Sequence, residues 1–283
     1  MSREKNPDVQ RTYQEDGVVL LPKLLDSETL ARLQACFDWS FANPGPAYYD
    51  NSAGDDRLNK GDFSNPGAMP VYRDLVLKPP FREALNALWD SKHAWWYSEE
   101  TFWKRGRAPG TIWHQDTAYS PWCGDHWVNL WISLDPLPRS NCLGVVRGSH
   151  RGPVYDGYSF DPATPTEPYW GEKAGLPLIP DIEAERKADP NSWDVVSFDI
   201  EPGDVLCFHP GSLHGGGPVD DRAPQRRTVV LRFFGDKCYW SDMLKVKEHL
   251  KDVAASTFGV GGVDYENAKP GEPFRGAAFL PVF

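Results

Sequence analysis

The sequence predicts a mainly β fold, a sandwich or barrel, with helices gathered in its first ninety residues. Two observations predict it. Apolar residues recur at helical spacing in the N-terminal third, and from about residue 94 short β-type runs follow one another between turn signals with no helical period. The 283 residues, 40% apolar and 13% aromatic, are enough for one large core and too apolar for a disordered chain.

Taken in order, Leu30, Leu33, Phe37 and Phe41 mark a helix behind Asp26 and Ser27, either of which can cap it. Residues 43–67, NPGPAYYDNSAGDDRLNKGDFSNPG, predict a long loop, a kind that is usually functional or disordered. Phe81, Ala84, Leu85, Leu88 and Trp89 form a second amphipathic stripe entered through Pro79 and Pro80. The strand-like runs are AWWYSEETFWK, TIW, WVNLWISL, LGVV, DVVSFDI, GDVLCF and RRTVVLRFF. Residues 151–190, with seven prolines, interrupt them as a covering insertion. No repeat, low-complexity tract or linker divides the chain. The expectation is one domain over 1–283: a helical part with a lid loop (1–92), a β core (93–240) and a C-terminal extension (241–283).

The formal charge of −10 and the absence of a Lys/Arg block argue against nucleic acid. No apolar stretch approaches the roughly 20 residues of a membrane helix, and MSREKNPDVQ is too polar for a signal peptide. Five scattered cysteines without a CxxC read as reduced thiols in a cytoplasmic protein. The expected partner is a small molecule; the sequence gives no oligomeric state.

Among seven histidines, His114 stands out because Asp116 follows two residues later, behind TIW. On an extended chain such residues share a side, so an imidazole and a carboxylate can hold one ion. A third ligand is expected from a distant strand: His214, just past GDVLCF and followed by three glycines that let the backbone approach closely. His209 is the local competitor, of opposite parity, and reads better as a packed strand-end histidine. Two histidines and one carboxylate suit Fe(II) in an oxygenase better than a closed structural zinc site.

Parity also sorts RRTVVLRFF. Arg227, Val229, Leu231 and Phe233 form a face fit for packing; Arg226, Thr228, Val230 and Arg232 form the other. Arg226 is therefore the better candidate to clamp a carboxylate, with Thr228 as a hydroxyl donor, the alternative being two solvent-facing arginines. In WVNLWISL, Val128, Leu130, Ile132 and Leu134 make the packed face, leaving Trp127, Asn129, Trp131 and Ser133 to line a pocket or to join the core.

Together WHQD (113–116), Trp131, RGSH (147–150), EPGD (201–204), HGGGP (214–218) and RRTVVLR (226–232) resemble the phytanoyl-CoA dioxygenase family of Fe(II)/2-oxoglutarate-dependent oxygenases. The opening YQEDGVVLLPKLLDSETLARL fits the same family, and the match runs in order over roughly residues 10–240. The resemblance implies a double-stranded β-helix, a cupin-like jelly-roll with N-terminal helices packed on one sheet. It implies Fe(II) held by His114, Asp116 and His214, and Arg226 paired with the distal carboxylate of 2-oxoglutarate. Gln115 and Trp131 fall where further co-substrate contacts are expected. Two departures stand out. The loop between His214 and Arg226 is one residue longer than in phytanoyl-CoA dioxygenase, which keeps Arg227 as a second choice. Asn141 replaces a usual glycine, which should alter a turn without touching the metal.

The implied reaction consumes O2, decarboxylates 2-oxoglutarate to succinate and CO2, and hydroxylates an unactivated C–H bond. The loop 43–67 and the insertion 151–190 are expected to cover the site. Trp95, Trp96, Trp103, Trp113, Trp122 and Trp127 are candidates to shield the oxidant or bind a cation through their ring faces, with core packing the alternative. Lys104, Arg107 and Arg232 are candidates to hold an anionic substrate. Three rivals stand beside this reading: a catalytically inactive jelly-roll binding protein, a cupin-like metal-dependent hydrolase or isomerase, and a halogenase, which the presence of Asp116 disfavours. The substrate itself is not legible.

Overall fold

Near the N-terminus, chain polarity decides where helices begin. In a computed structural model that describes residues 7–54, 57–120, 122–158, 167–171, 175–242 and 267–283, α1 (Pro7–Asp16) leads through Gly17 into β1 (Val18–Leu21). The next helix, α2 (Ser27–Ala42), is capped by Asp26, whose carboxylate accepts the Thr29 N–H at 2.8 Å and satisfies one of the free first-turn donors. After β2 (Tyr49–Asp50) and β3 (Arg57–Phe63) come α3 (Ala68–Val76) and α4 (Pro79–Leu88). Two prolines open α4, where their missing N–H costs nothing, and Phe81, Ala84, Leu85 and Leu88 are its buried stripe.

The loop expected over 43–67 thus contains two strands. Its polar sequence, RLNKGDF in β3, hid them because β3 lies near a sheet edge, where pairing with β4 (Ala94–Gly106) does not require apolar alternation. The remaining strands are β5 (Thr111–His114), β6 (Trp122–Cys123), β7 (Trp127–Ser133), β8 (Gly144–Val146), β9 (Val195–Val196), β10 (Val205–Phe208), β11 (His214–Gly216), β12 (Gln225–Gly235), β13 (Tyr239–Trp240) and β14 (Leu280–Pro281), with α5 (Ile182–Ala188) inside the insertion.

An eight-stranded sheet runs β1-β10-β7-β12-β4-β3-β2, with β14 paired to β4, and a four-stranded sheet runs β5-β11-β8-β9. All the pairings are antiparallel. The large sheet is apolar on its outer face and mixed on its inner one. Val128, Leu130 and Ile132 of β7 and Val229, Leu231 and Phe233 of β12 pack outward against Leu33, Phe37, Tyr72 and Phe81 of the helices. Trp131, Leu206 and Val230 face inward, toward Leu143 and Val145 beside the small sheet. This is the jelly-roll with helices on one sheet, and the parities read for β7 and β12 hold along both strands. Arg227, on the outward side, pairs with Asp135 at 2.7 Å and donates to Gln34 of α2 at 2.9 Å. The five cysteines are unbridged, and among the described residues no helix is long and apolar enough to cross a membrane.

Two segments brace the sheet. Phe274 and Phe279 of the C-terminal extension enter an aromatic cluster with Tyr97, Trp122, Trp127 and Phe234. Under the 43–67 segment, buried Glu99 of β4 accepts the Asn65 N–H at 2.8 Å, and Asp62 accepts from Gly45 N–H and the Asn65 amide at 3.0 and 2.9 Å. Burial pushes the Glu99 carboxyl up to about 8, so the folded protein carries it protonated at neutral pH. Between the ordinary value of 4.5 and about 8 the folded state binds this proton and the unfolded chain does not, so stability falls as pH rises through that window. Glu99→Gln keeps the acceptor for Asn65 and abolishes the titration; its thermal midpoint should fall less steeply than wild type between pH 5 and pH 8. Parallel midpoint-versus-pH curves for the two proteins would contradict the assignment.

Candidate metal centre and co-substrate pocket

Antiparallel register brings the two histidines together. His114 closes β5, His214 opens β11, and the two are direct partners across that ladder with ring centroids 4.2 Å apart. Gln115 stays extended, so Asp116 two residues on returns to the His114 side and begins a single tight turn, Asp116–Ala118. Asp116 Oδ1 lies 3.4 Å from His114 Nε2 and 3.6 Å from His214 Nε2, and the three ligating atoms lie within 4.8 Å of one another. The three predicted ligands converge.

Backbone carbonyls orient both rings. His114 Nδ1 donates to Ile112 O at 2.7 Å and His214 Nδ1 to Ser212 O at 2.8 Å, leaving each Nε2 lone pair turned toward Asp116. Burial, then the neighbouring His114, pushes the His214 imidazole down to about 4 and keeps it neutral, the form that binds metal. Burial opposes ionisation of Asp116, yet Arg232 and the two histidines hold its carboxyl well below the ordinary range. Neutral imidazole, ionised carboxylate and no thiolate form a donor set that fits Fe(II).

Glycine makes the approach of β11 possible. A Cβ on Gly215 would stand 2.8 Å from the Trp113 Cα, and one on Gly217 would stand 2.4 Å from Arg226 Nη1, at a φ of +68° that other residues rarely adopt. Ser149 of RGSH pins the same turn from beneath, accepting the Leu213 N–H at 2.8 Å and donating to Val146 O at 2.6 Å.

Arg226 opens the other end of the inner wall. Its Nη1 donates to Gly217 O at 2.5 Å and Asn141 O at 3.2 Å. Directly opposite on β4 sits Lys104, which donates to Pro109 O at 3.0 Å. Both are buried, and neither has a carboxylate partner among the described residues. Burial, then the neighbouring Arg226, pushes the Lys104 ammonium down to about 7; burial lowers Arg226 to about 10. A buried guanidinium with its Nε unpartnered, beside an amine that an arriving anion would draw into its charged form, suits an anion. Thr228, between Phe102 and Ser133, and Trp131, opposite Val230, share this face between the two ends.

The expectations for the neighbouring residues divide: those for Gln115, Arg227 and Arg107 need correcting, and those for Asn141 and His209 stand. Gln115 points away from the centre: its amide donates to Gly211 O at 2.7 Å and Pro153 O at 3.2 Å and accepts the Tyr155 N–H at 2.9 Å, because alternation turns it opposite to its neighbours. Its amide ties the insertion to Gly211 rather than turning toward the ligands. Arg227 is spent on Asp135 and drops out as a second choice. Asn141 leaves the ligands alone but supplies the carbonyl under Arg226, and its amide holds the longer loop through Pro218 O and Asp220, both at 2.9 Å. Arg107 is exposed and paired with Asp221. His209 is a packed residue, bonded to Gly124 O and the Gly211 N–H.

The tryptophans are mostly core. Trp96 stacks on Tyr72, Trp103 meets Phe37 and Phe41 edge-on, and Trp122 and Trp127 stack on each other. The rings beside the imidazoles are instead Phe208, 4.6 Å from His214, and Tyr119, 6.4 Å from His114. Part of the insertion packs on the turn that Asp116 begins: Trp170 Nε1 donates to Ala118 O at 2.6 Å, and Asp156 accepts the N–H groups of Trp170 and Gly171. Asn129, Arg232 and Glu100 also reach the site. Parity placed the first two on the inner wall, but no spacing motif marks any of them.

Residues 13–228 match the phytanoyl-CoA dioxygenase (PhyH) family. The peroxisomal phytanoyl-CoA dioxygenase of Bos taurus is 24% identical over 204 residues, which are 70% of this chain and 50% of that protein. The chain thus spans about half the length of the phytanoyl-CoA dioxygenases it matches. Among solved structures, the epimerase SnoN in complex with Fe3+, alpha ketoglutarate and nogalamycin RO superposes with a TM-score of 0.65 at 17% identity, covering 98% of each chain. The alpha ketoglutarate dependent carbocyclase SnoK from nogalamycin biosynthesis superposes at 0.63 and 18%, covering 99% of this chain and 97% of that one. These likenesses concern the fold; the sequence match over 13–228 makes the chain a member of the phytanoyl-CoA dioxygenase family.

Proposed function

We propose that the protein is a non-heme Fe(II)- and 2-oxoglutarate-dependent dioxygenase that hydroxylates an unactivated C–H bond of a small organic metabolite, releasing succinate and CO2. One observation carries this reading: three ligating atoms converge at the small sheet, and buried Arg226 and Lys104 lie side by side on the large sheet with no carboxylate partner among the described residues. An inactive binding protein does not need the first, and a metal-dependent hydrolase does not need the second.

His114, Asp116 and His214 would hold Fe(II), and Arg226, flanked by Lys104, would take the distal carboxylate of 2-oxoglutarate. Thr228 and Trp131 would line the path between. Those three ligands would hold an Fe(II) ion whose chemistry would be O2 activation coupled to decarboxylation of the co-substrate. The chain's own work is positional. His214 stays neutral, both backbone-bonded imidazoles face the centre with Nε2, and Asp116, which raises the His114 imidazole, stays ionised. The segment around Asp156 and Trp170, strapped to Ala118, keeps water from that side. One catalytic domain is part of the proposal, supported by the pairing of β14 with β4.

A second outcome of the same chemistry has support in the structural neighbours, whose names are epimerase and carbocyclase. Product mass separates the two: hydroxylation adds one oxygen atom, and the alternative releases succinate without that gain.

Anaerobic protein with Fe(II) and 2-oxoglutarate should develop a weak visible charge-transfer band, and under O2 it should form succinate with some member of a metabolite panel. Absence of both sinks the oxygenase reading. His114→Ala should abolish Fe(II) binding while the circular dichroism spectrum is kept; unchanged Fe(II) affinity would remove His114 from the ligand set. Arg226→Met should raise the 2-oxoglutarate concentration at half-development of the band by at least roughly 30-fold, the equivalent of about 2 kcal/mol for losing one side of a buried charge pair. An unshifted midpoint would place the carboxylate elsewhere.

A further inference from the structure

The two oxygens of Asp116 live in different surroundings. Oδ1 faces the histidines, as described. Oδ2 is turned the other way and accepts the Asn129 amide at 2.6 Å and Arg232 Nη2 at 3.2 Å. The same Nη2 lies 2.8 Å from Glu100 Oε1. Asp116, Asn129, Arg232 and Glu100 are all buried, at 8%, 1%, 4% and 8% exposure. Arg232 is therefore a desolvated cation held between two carboxylates, one of them a proposed ligand.

Strand geometry delivers this arrangement. Asn129 of β7 and Arg232 of β12 are direct cross-strand partners, so both point inward at the same level. The ladder between β12 and β4 slips immediately after Arg232: Arg232 pairs with Ser98, and Phe233 with Trp96. Such an irregularity re-aims the side chains beside it. Glu100, two residues from Ser98 on the same face, then meets the guanidinium.

We propose that Arg232 is a positioning residue for Asp116: with Asn129 it occupies Oδ2, so that Oδ1 alone is turned toward the two imidazoles. Glu100 holds the guanidinium in place from the other side. A free carboxylate on a short side chain can rotate to offer either oxygen or both; two donors on Oδ2, one of them charged, remove that freedom before any metal arrives. The sequence reading that offered Arg232 to an anionic substrate gives way, because its charge is already engaged.

The inference rests on the metal reading of His114, Asp116 and His214, and Co(II) is a probe that separates the two. Wild-type protein should bind Co(II) with a visible ligand-field spectrum. Arg232→Met should weaken Co(II) binding by roughly 10- to 100-fold, the usual cost of losing an outer partner of a metal ligand, and should change the spectrum at saturation as the freed carboxylate re-coordinates. Arg232→Lys, which keeps a cationic donor, should recover part of the affinity. Arg227→Met, which breaks the ion pair with Asp135 on the outward face, should lower the thermal midpoint and leave affinity and spectrum alone. Wild-type affinity and spectrum in Arg232→Met would make Arg232 a merely structural residue and overturn the proposal. If Arg232→Met fails to fold, Arg232→Gln, which removes the charge with a polar side chain, takes its place, and wild-type affinity and spectrum in that variant do the same. Wild-type protein that binds no Co(II) overturns the metal reading, and this inference falls with it.

Discussion

The ladder between β5 and β11 is the constraint on which the site depends. His114 and His214 are a hundred residues apart, and they meet because that ladder places them opposite one another. A slip of one residue would turn one imidazole to the far side of the sheet, since side chains alternate. The surrounding sequence resists that slip. Gly215 admits the Trp113 backbone at a distance no Cβ tolerates, and Gly217 bends the chain away so that Arg226 can reach its carbonyl. Ser149 fixes Leu213 immediately before His214. The motifs HGGGP and RGSH are thus one device seen from two strands.

Charge is distributed along the inner wall with a purpose that single residues do not reveal. At the Asp116 end, Arg232 sits between Asp116 and Glu100, and each carboxylate has a hydrogen-bonded partner. At the other end, Lys104 and Arg226 stand together on backbone carbonyls alone. Carbonyl dipoles offset part of the desolvation of a cation but do not cancel its charge. The charges are paired at the Asp116 end, and at the other end they have no carboxylate partner among the described residues.

Much of this was legible because strand parity is a strict rule. The alternation in RRTVVLRFF separated Arg226 from Arg227, and the structure sends the two to opposite faces, one into the pocket and one to Gln34 and Asp135. The same rule applied to WHQD accounts for His114 and Asp116 and, taken one step further, excludes Gln115 from their side. What stayed hidden had a physical reason in each case. β2 and β3 pair near a sheet edge through polar residues, so no apolar pattern announced them. The tryptophans suggested an aromatic wall by their nearness in sequence to the ligands, yet large rings fill cores first, and most of these pack on helices or on one another. Glu100 and Asn129 act through contacts between strands distant in sequence, and such contacts leave no local signature.

The division of labour across the large sheet explains how the chain carries so much buried charge. Val229, Leu231 and Phe233 of β12 are buried with α2 and α4 in the same apolar cluster as Val128, Leu130 and Ile132 of β7. Every second residue of those strands is thereby free to serve the pocket. Burying such side chains stabilises the fold by roughly 1.5–3 kcal/mol each, which offsets the desolvation of Lys104, Arg226 and Arg232. That offset leaves the two cations without an anion as the least satisfied point of the inner wall. A carboxylate arriving there would gain from a guanidinium already desolvated and in place, and from an ammonium that its charge would stabilise.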